Sequence, residues 1–515
     1  MKKRLSLARK PKMHYLKALA LLSLSISVHA EPEVSPLWGQ AGEKWSPQST
    51  LPDFSRAGYL DGADLPSDLS SLKLVSVAEF GAKPDDQQDD TAAFRKALQT
   101  KGSVVIFIPE GTYLLSDRLP ITSSKTILRG ESKDKTILLF TKGLEEVDPK
   151  PTQNSGGTPT TSYSWSGGFI DLRGSNKHPK LPSLSHTAKR GSLQLNFKEA
   201  PKMNEGDRIL IRQYAGKSLE LVKHLYAGDP GELDNMRERD RFSIVARIKK
   251  IQGNTLHLDR RLLCDVNPEW GTVITKHDPS VKFSGIENLS IAFPAHRYGG
   301  HFREKGYNAI NLGNVSDCWV RNINIINADS GIFCSGSHCT IQDLTISAPN
   351  VEGTPATNAY TGDTTGHHGL TAGGTCNLFS NFHFETKFIH DLTVSHSSGN
   401  VFMDGKGVDL SIDHHKKAPF ANLFTNIDLG DGGRFLFSGG GAKIGRHSGA
   451  WQTFWNIRAE KPVYINKDFG PTAMNFVGVK ASNEKELLTK GFKIISTPVK
   501  PLNLFRSQQE RFKSH

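Results

Sequence analysis

Ile286-Glu-Asn-Leu-Ser-Ile291, Val320-Arg-Asn-Ile-Asn-Ile325, Ile341-Gln-Asp-Leu-Thr-Ile346 and Phe379-Ser-Asn-Phe-His-Phe384 repeat one phrase: apolar, any, Asn or Asp, apolar, any, apolar. The phrase returns at 389–394, 424–429 and 454–459, with separations of 34, 21, 38, 10, 35 and 30 residues between the Asn/Asp positions. Each copy alternates with period 2 and is rich in β-branched residues, which specifies a strand. A six-residue strand cannot bury its apolar face alone. Copies stacked every 20 to 40 residues or so can, and that is the logic of a parallel β-helix. An Asn or Asp at fixed phase suits the bend between strands, where left-handed backbone geometry is needed.

Working outward, the composition agrees. The chain has 515 residues with 48 Gly and 26 Pro, as many short strands and turns require. Its five cysteines (Cys264, Cys318, Cys334, Cys339, Cys376) are an odd number without zinc spacing and read mostly as small core residues. Cys334 and Cys339 are the pair that an oxidising compartment could join.

Residues 1–30 read as a signal peptide. Seven basic residues lead into a mostly apolar run over 18–28, and Val28-His29-Ala30 supplies a cleavage signal. The run is too short for a membrane span. Removing those seven charges takes the formal net charge from +12 to +5. This mildly basic balance favours an acidic polymer as partner, and no motif supports nucleic acid. A secreted or periplasmic protein is expected. Nothing in the pattern bears on oligomeric state.

An irregular lead covers 31–70. In the segment 71–140, Val75-Ser-Val-Ala-Glu-Phe-Gly-Ala-Lys-Pro-Asp-Asp-Gln-Gln-Asp-Asp-Thr91 runs from a strand through a turn into a helix capped by Asp89 or Asp90. Val104-Val-Ile-Phe-Ile-Pro-Glu-Gly-Thr-Tyr113 and Lys125-Thr-Ile-Leu-Arg-Gly130 follow. This stretch resembles the N-terminal cap and first coils of the pectate-lyase-like, right-handed parallel β-helix superfamily. The resemblance implies an all-β, single-stranded solenoid with a helical cap, and a polysaccharide-active protein. It does not decide the chemistry, because the superfamily includes lyases, hydrolases, epimerases and tailspikes. Residues 141–280 read as an inserted β-rich region, 281–480 as the main coils, and 481–515 as a short helix followed by a polar, basic, partly disordered end.

Histidines precede the strand phrases of three coils: His367-His368-Gly369, His414-His415-Lys416 and Arg446-His447-Ser448. Coils stack about 4.8 Å apart, so winding in register should bring His367 or His368, His414 or His415, and His447 to one edge, with His396 between. β-Elimination on a uronic acid needs a base for the C5 proton and a positive group for the carboxylate. Neutral His serves the first need. Arg446, Arg434 or Lys416 serves the second, with Asp363, Asp413 and His396 as further substrate contacts. A lyase acting on an acidic polysaccharide is therefore expected. A hydrogen-bonded histidine ladder with no chemistry is the structural alternative.

Asn327-Ala-Asp329-Ser-Gly331 and Gly366-His-His-Gly369 also resemble motifs of polygalacturonase-type hydrolases, which would make Asp329 and Asp363 the acids. That family's paired aspartates between the two motifs are absent here. A third reading, a non-catalytic carbohydrate-binding solenoid, would need aromatic platforms, for which Trp451, Trp455 and Tyr464 are available. No cofactor is required by any of these. Calcium is the one ion considered, with Asp404, Asp409, Asp413 and Asp431 as oxygen donors.

Overall fold

The computed structural model describes residues 32–349, 351–353 and 362–513; the expected leader at 1–30 lies outside them. The chain winds as a right-handed parallel β-helix. Two parallel sheets of fifteen and seven strands form its main walls. A third, narrower wall is a row of single parallel bridges, Lys282–Ser316–Ser337–Thr375–Ser398–Phe420.

The repeated phrases build the fifteen-stranded sheet. Gly285–Ala292, Trp319–Ile326, Thr340–Ser347, Leu378–Phe384, Leu423–Asp428 and Thr453–Arg458 lie along it in parallel. Asn288, Asn322, Asp343, Asn381, Asn426 and Asn456 all take φ between 48° and 58°. Asn and Asp tolerate that region because their short polar side chains bond locally. Here they also bond each other between coils, Asn322 Nδ2 donating to Asn288 Oδ1 at 2.9 Å and Asn426 Nδ2 to Asp404 Oδ1 at 2.7 Å. The phrase at 389–394 is different. It belongs to Phe388–Val394 of the seven-stranded sheet, which explains its spacing of ten. Asp391 is not at a bend but is buried against Arg434.

Inside the coil the phase set by the phrase stacks one ring per turn. Phe379–Phe402, Phe402–Phe424, Phe424–Phe454 and Phe454–Phe476 have centroids 4.4, 5.0, 5.3 and 4.9 Å apart and nearly parallel planes. The aromatic area buried in such a column contributes to the stability of the coil. All five cysteines are buried free thiols.

The helix Thr91–Leu98 caps the first coil, burying Phe94 and Ala97. The insertion is narrower than 141–280. Ile170–Arg173 pairs in parallel with coil strands on both sides, and the antiparallel sheet is made from Gln194–Asn196, Arg208–Tyr214, Arg241–Gln252, Thr255–Leu258 and Val273–Lys276. A buried ionic knot anchors it. Arg208 spans Asp61 (3.0 Å) in the lead segment and Asp317 (2.6 Å) in the coil.

The C-terminal end corrects a further expectation. The irregular lead packs Trp38, Leu51 and Phe54 onto the outside of the fifteen-stranded sheet, together with Leu504 and Phe505 of the helix Leu504–Lys513. The end of the chain is thus an ordered brace. Its apolar residues are too few to signal a helix by periodicity, but they face a wall that needs covering.

Candidate active site

The seven-stranded sheet carries the site on its outer face. Gly366–Ala372 and Phe388–Val394 pair so that His368 lies beside His390, and Phe388–Val394 pairs with Ile412–His414 so that Thr393 lies beside Asp413. The inward phase is held by Leu370, Leu392 and Ile412, all in the core. His414 shares the inward phase of Val394 and Ala372. His415, one residue on, therefore emerges on the outer side, because successive strand residues face opposite ways.

Five imidazoles gather there. Ring centroids are 4.2 Å apart for His367–His368, 5.0 Å for His368–His390, 5.4 Å for His390–His415 and 4.5 Å for His301–His367. His301 arrives from the loop after Phe293, with its ring stacked on Phe302 at 3.7 Å. Two enclosed carboxylates back the cluster. Asp413 Oδ2 is 2.8 Å from His415 Nδ1 and 3.4 Å from His390 Nδ1, and its Oδ1 accepts from the Gly439 amide at 2.9 Å. Glu304 Oε1 is 3.1 Å from His367 Nδ1 and accepts from the Tyr298 hydroxyl, while Oε2 accepts from Ser164. Gly439 is required where it stands. A Cβ there would lie 2.6 Å from His415 Cε1.

Burial and charge sort these groups. His367, His368 and His390 are held neutral, well below the usual imidazole range, first by burial and then mainly by neighbouring imidazoles; Asp413 opposes this at His390. His415 is the exception. Burial pushes it down, but the adjacent Asp413 carboxylate outweighs that and raises it, and the side chain is 35% exposed. Burial also drives Glu304 upward, whereas the facing imidazoles overcome burial at Asp413 and hold it low.

Other expected site residues lie elsewhere. His414 is packed among Phe424, Phe454 and Phe469, where burial lowers it to about 3. His447 stacks on Phe469. Arg446 bonds Asp229 at 2.7 Å and Asp468 at 3.0 Å, fastening the insertion. Arg434 is buried, held by Asp391 and the carbonyls of Phe388 and Ile389, so it supports the sheet rather than reaching a ligand. Lys416 donates to the Gly441 carbonyl. Asp363 sits in an exposed left-handed turn. Asp329 is sealed, with its oxygens on His296 and the Tyr307 amide. Asp404 and Asp431 pair with Arg506 and Lys461, and among the described residues no cluster of metal-ligating groups includes Asp404, Asp409 or Asp431. Of the aromatic candidates, Trp455 and Trp451 are buried and Tyr464 alone is exposed.

His396 marks a second feature. With Lys417, two residues after His415, it lines an open groove of about 790 Å³ between coil and insertion. Arg212, Arg239 and Arg241 line the opposite side. Lys417 is paired with Asp240 at 3.1 Å, but among the described residues no carboxylate is bonded to those three arginines. Burial and the nearby Arg241 depress the Arg212 guanidinium.

Sequence reasoning brought His367, His368, His415 and Asp413 to this place. It missed His390, whose strand reads like the other repeats, and His301 and Glu304, which lie in a loop without periodicity.

The comparisons with known proteins fall on this frame. Residues 74–196 match the family model described as rhamnogalacturonase A/epimerase, pectate lyase-like. The chain is a right-handed parallel β-helix, and the likeness to that family covers about a quarter of it, in its N-terminal part. A stretch of 113 residues is 32% identical to plasmin and fibronectin-binding protein A of Streptococcus pneumoniae (strain ATCC BAA-255 / R6), covering 19% of this chain and 15% of that protein. Among solved structures, the tailspike protein gp49 from Pseudomonas phage LKA1 has 13% identity and TM-score 0.38, covering 78% of this chain and 70% of that one. The exopolygalacturonase from Thermotoga maritima has 10% identity and TM-score 0.33, covering 77% and 76%. Among the described residues, no helix is long and apolar enough to cross a membrane.

Proposed function

We propose that the protein is an exported polysaccharide-degrading enzyme, a lyase that cleaves an acidic, uronate-containing polymer by β-elimination. The observation that carries this reading is the Asp413–His415 pair at the outer wall. His415 is partly exposed, and it is the imidazole whose Nδ1 is fixed by an enclosed carboxylate at hydrogen-bond distance, which leaves Nε2 to meet a substrate. In this reading Nε2 takes the C5 proton of the uronate, the electron pair moves into a C4–C5 double bond, and the glycosidic oxygen leaves from C4. The N–H groups of the neighbouring imidazoles are, in this reading, the donors for the developing negative charge. The groove beside His396 supplies three guanidiniums, bonded to no carboxylate among the described residues, for the carboxylates of adjoining sugars.

A hydrolase would need two carboxyl groups flanking the bond. Glu304 and Asp413 are both enclosed, each with an imidazole against it, and Asp329 is sealed. The test is incubation with polygalacturonate, alginate and glycosaminoglycans, following double-bond absorbance and reducing ends together. Unsaturated product is expected, with His415→Ala lowering kcat per folded molecule about 10²- to 10⁴-fold. New reducing ends without absorbance would replace the lyase by a hydrolase, and retention of polymer without turnover would replace it by a binder.

A further inference from the structure

The histidine cluster holds more imidazoles than a base and its donors require. One ring nitrogen from each of His301, His367 and His390 lies within 4.8 Å of the others. His367 and His390 have side chains 2% exposed. Yet neither nitrogen of His390 has a hydrogen-bond partner, and neither does Nδ1 of His367. Leaving a buried polar atom unpaired costs about 1–3 kcal/mol, and with both Nδ1 atoms turned toward carboxylates, His390 Nε2 is the nitrogen left facing the cluster with nothing to meet.

The surroundings indicate what they meet. Glu304 lies 3.1 Å from His367 Nδ1 and Asp413 lies 3.4 Å from His390 Nδ1. A carboxylate behind an imidazole is the arrangement that orients a ring whose other nitrogen binds a metal. Glu304 is itself fixed by Tyr298 and Ser164. From these contacts we infer that His301, His367 and His390 form a divalent transition-metal site of the zinc type. Three imidazole donors with a fourth position open match a catalytic rather than a structural site. Calcium and magnesium, which take oxygen ligands, do not suit it. A second trio, His390, Asp413 and His415, also lies within 4.8 Å. There Asp413 and His415 already satisfy each other at 2.8 Å, so the first trio is the one left to take up His390 Nε2.

His301 is exposed, which puts the open side of the site toward solvent next to His415. An ion there would hold the uronate carboxylate and supply the positive charge that C5 deprotonation demands. In that role the site rests on the lyase reading; as a metal site it does not.

Protein made without a histidine tag, stripped with chelator, would be titrated with Zn²⁺ and with Co²⁺, reading metal content and the visible absorption of tetrahedral cobalt. About one ion per chain is expected, with a thermal upshift on adding Zn²⁺. His301→Ala, at an exposed position that leaves the fold intact, should weaken binding at least about tenfold, as should His367→Ala, while His415→Asn should retain the ion. Failure to bind, or binding indifferent to His301→Ala, overturns the site. Unsaturated product from stripped, metal-free protein removes the ion from catalysis while the lyase reading stands. A bound ion with no unsaturated product supports the site and removes the lyase.

Discussion

Two stacks of polar side chains run along this coil, and only one is content. Asn377, Asn400, Asn422 and Gln452 sit at matching positions on successive turns, all fully buried. Asn400 Oδ1 accepts both N–H groups offered by Asn377 at 3.0 Å, Asn422 Oδ1 does the same for Asn400, and Gln452 Oε1 takes the Asn422 amide at 2.6 Å. Their side-chain amides donate to carbonyls of the turns. The histidines are also brought together by winding in register, yet both ring nitrogens of His390 and Nδ1 of His367 are left without a hydrogen-bond partner. Satisfied ladders hold a fold together; a stack with unmet nitrogens costs stability and is kept where chemistry uses it.

That contrast predicts opposite signatures. The largest effect on stability should come from Asn422→Ala. It strands two N–H groups of Asn400 in a dry interior, at about 1–3 kcal/mol each, and leaves the Ser397 carbonyl with the Phe420 amide alone. A loss of about 3–5 kcal/mol in urea unfolding is expected, with kcat per folded molecule unchanged. A loss below about 1 kcal/mol would mean that the ladder is ornamental and the comparison void.

The next effect concerns a histidine on the wrong side of the wall. His414 stands among phenylalanines with its pKa lowered to about 3 by burial, against about 6.5 in the unfolded chain. The unfolded state therefore binds a proton below about pH 6.5 that the folded state refuses, and stability falls as pH drops from there toward 3. At pH 5 this costs about 2 kcal/mol, and at pH 7.5 almost nothing. His414→Phe fits the same aromatic surroundings and removes the penalty. The gap in melting temperature between pH 7.5 and pH 5 should shrink accordingly. An unchanged gap would show that this imidazole is not the one resisting the proton.

The solenoid was legible because its rule is local: period-2 alternation around a left-handed Asn or Asp, as at Asn288 and Asn322. The rule misplaced 389–394, since any strand with a polar third residue satisfies it, and Asp391 makes no bend. It also passed over the coil at Val401–Met403, where Gly405 and Gly407 break the pattern although Asp404 takes the same φ of 54° as Asn322 and Asn426. Adjacent histidines were a sound guide for the site. Of His414 and His415, one must face outward whichever phase the strand adopts. Which one, and that His390 and His301 would join, depends on contacts between coils and on a loop that carries no period.

The groove arginines are the least visible of all from sequence. Arg212 and Arg241 come together only through the antiparallel pairing in which Arg212 faces Ser243 and Tyr214 faces Arg241. They also give the mildest way to sharpen the comparison. Like-charged guanidiniums without carboxylates repel each other, so Arg241→Ala relieves the free protein while weakening its hold on a polyanion. The expected outcome is a melting temperature equal to or slightly above that of the parent. KM for the acidic polymer should rise about tenfold, about 1.4 kcal/mol of binding, and depend less steeply on salt. Arg241→Lys should recover part of the affinity as a point charge without the two-pronged contact. Stability up and binding down is the reverse of the asparagine ladder. If Arg241→Ala instead destabilises the protein and leaves KM alone, the groove is a structural seam between insertion and coil, and the polymer lies elsewhere.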